Sequence, residues 1–138
     1  MTQRTLTIIK PDSVTNRNVG KIIARLETEG FTIVASRMLR LSSAQAREFY
    51  AEHRDKGFYS SLVDYMTSGP VWVMCLERAD AVHHLRAVMG ATNPADAAEG
   101  TIRAAYGTSI ERNAIHGSDS AENAAIEVAF FFAASDLV

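Results

Sequence analysis

His116 stands in the stretch Asn113-Ala114-Ile115-His116-Gly117-Ser118-Asp119-Ser120, an imidazole followed by glycine and three short polar side chains. A neutral imidazole is a nitrogen nucleophile near pH 7. The polar residues after it lead into a helix start, where free N–H groups favour an anion, and Gly117 allows close approach of backbone to a ligand. Such a nucleophile needs a partner to fix its ring and tautomer. Glu127, at the expected start of the last strand, can return beside it. Cations for an anionic group are available in Lys10, at the end of the first strand, in Arg86 on a helix, and in Arg103 in a long loop. The two guanidinium groups offer planar donor pairs to phosphate. Phe58, between Gly57 and Tyr59, offers a face on which a base can stack. Each has a plainer reading when taken alone: a loop histidine beside a helix cap, solvated surface charges, and a core aromatic opening an amphipathic helix.

Several other chemistries are excluded. Gly20-Lys21 lacks the upstream glycine of a P-loop, since Thr15 stands there, and no Gly-x-Gly-x-x-Gly follows a strand. His83 and His84 are neighbours on a helix and point apart, His53 stands alone, and Cys75 has no partner. They do not assemble into a metal site. Against 14 Lys and Arg stand 16 Asp and Glu, a net charge of −2, so a broad basic face for nucleic acid is not expected. The lone cysteine forms no internal disulfide and fits a reducing, cytoplasmic location. The chain shows no secretory segment and no apolar run of the ~18 residues a membrane span needs, so no membrane partner is expected.

The elements that must hold these residues can be read from periodicity. Leu6 to Ile9 is a strand ending at Lys10-Pro11-Asp12. Val19, Ile22, Ile23 and Leu26 mark a helix that stops at Gly30. Thr32 to Leu41 reads as a strand with Ile33, Ala35, Leu39 and Leu41 on one face. Ser42 and Gln45 form a capping box for a helix to about Glu52, and a second helix follows over Tyr59 to Met66. Val71 to Leu76 is continuously apolar, a central strand. Asp80 is expected to cap a helix ending at Gly90, and Asn93-Pro94 to open a short one. The remaining stretch up to His116 is an irregular functional loop, the whole interval from Gly90 spanning about 25 residues. Asp119 and Glu122 suggest a capping box for a helix to about Ala125, and Glu127 to Phe132 a final strand. With 138 residues, 47% of them hydrophobic, this suffices for one domain. The expected fold class is α+β, a ferredoxin-like βαββαβ arrangement with a four-stranded antiparallel sheet covered by helices.

The blocks Thr7-Ile8-Ile9-Lys10-Pro11-Asp12, Phe49-Tyr50-Ala51-Glu52-His53, Thr67-Ser68-Gly69-Pro70-Val71, Met89-Gly90-Ala91-Thr92-Asn93-Pro94, Gly100-Thr101-Ile102-Arg103 and Asn113 to Ser120 occur in this order. In this the chain resembles the nucleoside diphosphate kinase family, especially its short bacterial members, from Arg4 to about Leu137. The resemblance implies a single kinase domain over 1–138. It implies ping-pong transfer of a γ-phosphate from a nucleoside triphosphate to a nucleoside diphosphate, ribo or deoxyribo, through phosphorylated His116. Lys10 would contact the travelling phosphate and the ribose, and Tyr50 would bond near it. Arg86 and Thr92 would hold the β-phosphate, Arg103 the terminal one and Asn113 the ribose. Phe58 would stack on the base, while Glu127 and Ser118 would orient the histidine. Mg²⁺ would arrive on the nucleotide, with water-mediated help from Asp119 at most. The resemblance also implies a homo-oligomer built from dimers. Gly57 departs from the family, which usually has proline there, and a looser base platform is expected. A catalytically silent nucleotide-binding or interaction module is the competing reading. Such a chain should have lost one of Lys10, Arg103, His116 or Glu127, and this one retains all four.

Overall fold

In a computed structural model, which describes residues 2–138, four strands form one antiparallel sheet. They are β1 (Thr2–Ile9), β2 (Thr32–Leu39), β3 (Val71–Ala79) and β4 (Ile115–Gly117), in the order β2-β3-β1-β4. The helices are α1 (Pro11–Thr15), α2 (Val19–Thr28), α3 (Ser43–Phe49), α4 (Tyr59–Met66), α5 (Ala81–Met89), α6 (Ile102–Tyr106) and α7 (Ala121–Phe131). Alternation along β1 and β3 sends side chains to both faces of the sheet. Leu6, Ile8, Val71, Val73 and Cys75 pack with α3, α4 and α7 on one face. Ile9, Met74 and Leu76 pack with α2, α5 and α6 on the other. Both faces are thus covered, and each fully buried Leu or Ile contributes about 1.5–3 kcal/mol relative to exposure.

Local signals explain most element boundaries. Ser42 and Gln45 make both bonds of the capping box that opens α3. Asn93 accepts from the Ala95 N–H and opens a 3-10 turn over Pro94–Asp96. Asp80 lies before α5 but does not cap it: its backbone is left-handed, with φ of 53°, and its side chain makes no cap bond. A register shift between Ile33 and Ala35 divides the face expected for β2. Ile33 packs with the α2 and α5 side, whereas Ala35, Leu39 and Leu41 join the α3 and α4 side.

The largest departure from expectation lies at the C-terminal end. Glu127 to Phe132 is not the last strand. Ser120, not Asp119, caps α7 by accepting from the Asn123 N–H, and the helix continues through Phe131. Its buried residues Ala124, Val128 and Phe131 recur at helical spacing. The fourth strand is the three-residue Ile115–Gly117, hydrogen-bonded along β1 with Ile8 opposite His116. The loop before it is also more regular than expected, because α6 places Arg103 on a helix capped by Thr101.

Candidate active site

His116 occupies the middle of β4, on an edge of the sheet, with its backbone carbonyl accepting from the Thr7 hydroxyl at 2.8 Å. Its neighbours Ile115 and Gly117 turn into the opposite face. A Cβ on Gly117 would come within 2.6 Å of the Met89 sulfur, so glycine here lets β4 pack closely against α5, and the same residue also lines the cavity. The imidazole meets the edge of the Phe49 ring at 5.3 Å between centroids, and that of Tyr50 at 6.2 Å.

The partner expected for the histidine is present, though on α7 instead of a strand. Glu127 Oε1 lies 2.8 Å from His116 Nε2 and also accepts from the Ser118 hydroxyl at 2.8 Å. A carboxylate only accepts, so Nε2 carries the proton and Nδ1 keeps its lone pair. Ser118 is buried and its oxygen faces the Leu6 N–H. The pair is therefore anchored to β1 at one end and to α7 at the other.

The cations converge from separate elements. Lys10, 7% exposed, follows β1, and its Nζ donates to Asn113 Oδ1 at 2.8 Å. The Asn113 amide in turn donates to the Thr92 carbonyl at 3.0 Å. Arg103, also 7% exposed, spends three N–H groups on backbone carbonyls. Nε reaches Asn113, Nη1 reaches Gly90 and Nη2 reaches Ile115. A guanidinium has about five donor hydrogens, so roughly two remain for a ligand. Burial, reinforced by the charge of Arg86, lowers Arg103 to about 10. Arg86 itself is exposed on α5.

Burial, with the Arg103 charge adding to it, brings the Lys10 ammonium down to about 8. An incoming phosphate opposes that shift by favouring the charged form. Free Lys10 loses its proton as pH rises through 8, so nucleotide affinity should weaken about tenfold between pH 7 and pH 9. Binding at pH 8.5 should take up protons, because a terminal phosphate has already lost its second proton well below that pH. Calorimetry in two buffers of different ionisation enthalpy measures this. Equal heats in both would remove Lys10 from the phosphate site.

These groups line one cavity of about 640 Å³, together with Tyr50, Phe58, Thr92, Asp119 and Glu127. The Tyr50 hydroxyl is buried without a hydrogen-bond partner among the described residues, and burial and Glu127 push its pKa up, so it remains a donor. Phe58 is 49% exposed at the start of α4, an open face and not a core aromatic. Ile110, 61% exposed, also lines the cavity, and its sequence position alone did not single it out. Glu111 beside it ties that loop to α4, accepting from the Ser61 hydroxyl at 2.8 Å. Their only sequence signal was an apolar residue in a polar segment. Gly57 has open space around its Cα and does not use positive φ, so its conformation gives no reason for glycine.

The Asp119 carboxylate is exposed and accepts from the Asn123 amide at 2.6 Å. Among the described residues no group of three His, Cys, Asp or Glu side chains is placed to hold a metal ion. A divalent ion fits here when most of its oxygen ligands come from a bound polyanion.

A nitrogen nucleophile set by a carboxylate, opening on a cavity with three cations, defines a phosphotransferase for a small polyanion. The comparisons with known proteins specify which kind. The family described as nucleoside diphosphate kinase matches residues 3–137. The chain is 54% identical over 136 residues to the nucleoside diphosphate kinase of Chlamydia felis, covering 99% of this chain and 96% of that one. It is 53% identical to that of Chlorobium luteolum, covering 99% and 97%. The Aquifex aeolicus nucleoside diphosphate kinase structure superposes with a TM-score of 0.98 at 42% identity over the full length of both chains. A halophilic nucleoside diphosphate kinase from Halobacterium salinarum, in complex with CDP, gives 0.96 at 44% identity, covering 100% of this chain and 92% of that one. The chain belongs to the nucleoside diphosphate kinase family. It is a nucleotide-handling phosphotransferase of a family that generally needs a divalent cation, and the silent-module reading finds no support in these relatives.

Proposed function

We propose that the chain transfers a γ-phosphate from a nucleoside triphosphate to His116 and then to a nucleoside diphosphate. The observation that carries this is the Glu127 bond to His116 Nε2, which leaves Nδ1 as the nucleophile. The Nδ1 lone pair attacks the γ-phosphorus as the bond to the β–γ bridging oxygen breaks, and the diphosphate leaves with that oxygen. The second half-reaction runs the same exchange in reverse with another diphosphate. Little covalent help is needed beyond this, since positioning and charge stabilisation dominate phosphoryl transfer.

Arg103 and Lys10 supply fixed positive charge at the terminal phosphate, Arg86 and Thr92 hold the β-phosphate, and Tyr50 donates near the transferred group. Asn113 and Lys10 take the ribose hydroxyls. The base lies between Phe58 and Ile110, and both offer apolar faces without edge readout. That supports acceptance of many bases, in ribo and deoxyribo form. The divalent cation in this reading is Mg²⁺, which neutralises phosphate charge when bound. Phosphate oxygens would hold it, with at most water-mediated help from Asp119.

The same reading extends to assembly and location. The outer edge of β2 pairs with no strand among the described residues, and Met38 on it is exposed. This supports a dimer as the unit of a homo-oligomer. A buried free thiol at Cys75 supports a cytoplasmic location. No helix among the described residues is long and apolar enough to cross a membrane. A shared sheet between both cores supports one domain over 1–138.

Mixing the protein with MgATP and no acceptor should release about one ADP per chain in a burst, leaving acid-labile phosphate on His116. ATP binding without that burst, or label on another residue, would overturn the mechanism.

A further inference from the structure

The backbone immediately before the proposed nucleophile is held in a conformation that its own residue disfavours. Ala114 is fully buried and has φ of 76°. The Ile115 N–H donates to the Asn113 carbonyl at 2.9 Å, which closes a three-residue turn centred on Ala114. Such γ-turns with positive φ at the centre are rare and strained, and a residue with a Cβ persists there only if its surroundings hold it. The turn matters to both halves of the site. It leads on one side to Asn113, which bonds Lys10 Nζ, and on the other to β4 and His116.

Asp12 supplies the hold from outside. Its Oδ2 accepts from the Ala114 N–H at 3.1 Å, while the Lys10 N–H donates to the Ala114 carbonyl at 2.9 Å. Both polar groups of Ala114 are therefore bound to the segment that opens α1. The Asp12 carboxylate is itself fixed by Tyr65 of α4. The Tyr65 hydroxyl donates to Asp12 Oδ1 and accepts from the Asp12 N–H at 2.8 Å. Arg112, two residues before Ala114, lies over the Tyr65 ring at 5.3 Å. Asp12, Tyr65 and Ala114 do not line the cavity, so they act on the reaction only through neighbours that do.

We propose that Asp12, oriented by Tyr65, is a positioning residue for phosphoryl transfer: it holds Ala114 in the strained turn that sets Asn113 and His116 against Lys10. The inference rests on the reading of His116 as the phosphate carrier. Without the carboxylate the Ala114 N–H loses its acceptor, the turn relaxes towards negative φ, and the alignment at His116 is lost. Glycine at the same place adopts positive φ without that support.

The test is a cycle of Asp12→Ala, Ala114→Gly and the double variant, with rates of phosphate incorporation from MgATP measured per folded chain. Asp12→Ala should slow labelling by about 100-fold, the effect of a displacement on the ångström scale. In the Ala114→Gly background the same change should slow it by only about fivefold or less, since the turn no longer depends on the carboxylate. A purely structural role for Asp12 predicts no such rescue. Tyr65→Phe, which removes the orienting hydroxyl but keeps the ring, gives a milder second probe and should slow labelling by about tenfold. Should Asp12→Ala not fold, the same cycle is run with Tyr65→Phe. Labelling as fast as wild type in the Asp12 or Tyr65 variant, or an equal loss in both backgrounds, overturns the proposal. Failure of wild type itself to label would instead sink the phosphohistidine reading on which it stands.

Discussion

His116→Ala should lose steady-state phosphate exchange by about 10⁴-fold or more, while the chain still binds nucleotide and folds. The size of the loss follows from the geometry. Replacement removes the nitrogen that accepts the phosphoryl group, and no neighbouring nucleophile takes its place in the same position. Tyr50 is held protonated by burial and by Glu127, and Ser118 is buried with its hydroxyl donated to that carboxylate. The cations stay where they are, since Lys10 and Arg103 are fixed by Asn113 and by backbone carbonyls, not by the imidazole. Binding of a diphosphate should therefore change by only a few-fold, because ground-state contacts to its phosphates survive. Stability should also change little, since Glu127 keeps Ser118 as a donor and the ring is a part-exposed edge contact. Coupled exchange assays and nucleotide titration of the same sample measure both quantities. Retention of more than about a hundredth of wild-type turnover would mean that another group carries the phosphate.

What made this site legible was residue type at fixed order, and what hid part of it was geometry shorter than any pattern. His116, Lys10 and Arg103 each had a plainer reading alone, and they and Asn113 could be named only because the ordered blocks resemble a known family. The strand that carries His116 could not, because three residues give no period to read. Its place was given to Glu127 to Phe132, whose apolar, aromatic run has the composition of a strand. The helix won because Ser120 caps it and Ala124, Val128 and Phe131 reach the core together. The tertiary core overrode local preference. Glu127 nevertheless reaches His116, since the middle of a helix packed against β1 serves as well as a returning strand. Ile110 and the Asp12–Ala114 contact were not legible for a related reason. Their roles lie in where the loop folds back, and no residue type announces that.

Arg103→Lys should prove far from conservative, lowering kcat/KM by roughly 10²–10³-fold although the charge is retained. In the folded chain one planar group bonds the carbonyls of Gly90, Asn113 and Ile115, tying the end of α5 to both sides of the strained turn. A lysine ammonium has three donors in a tetrahedral array and cannot reach these carbonyls while still presenting donors to a phosphate. Buried carbonyls left without partners cost about 1–3 kcal/mol each, so unfolding free energy should drop by about 2–4 kcal/mol as well. Burial and Arg86 already pull the arginine down to about 10, and the same surroundings would act on an ammonium of lower intrinsic pKa. The lysine would then lose its charge at a lower pH than the arginine, so the loss should deepen as pH rises. Wild type, by contrast, keeps this charge well above neutrality. Single-turnover transfer at a temperature where both proteins are folded, paired with urea unfolding, separates catalytic from stability effects. Transfer within about threefold of wild type in the lysine variant would show that Arg103 acts as a point charge, and that its three-carbonyl geometry contributes nothing to the reaction.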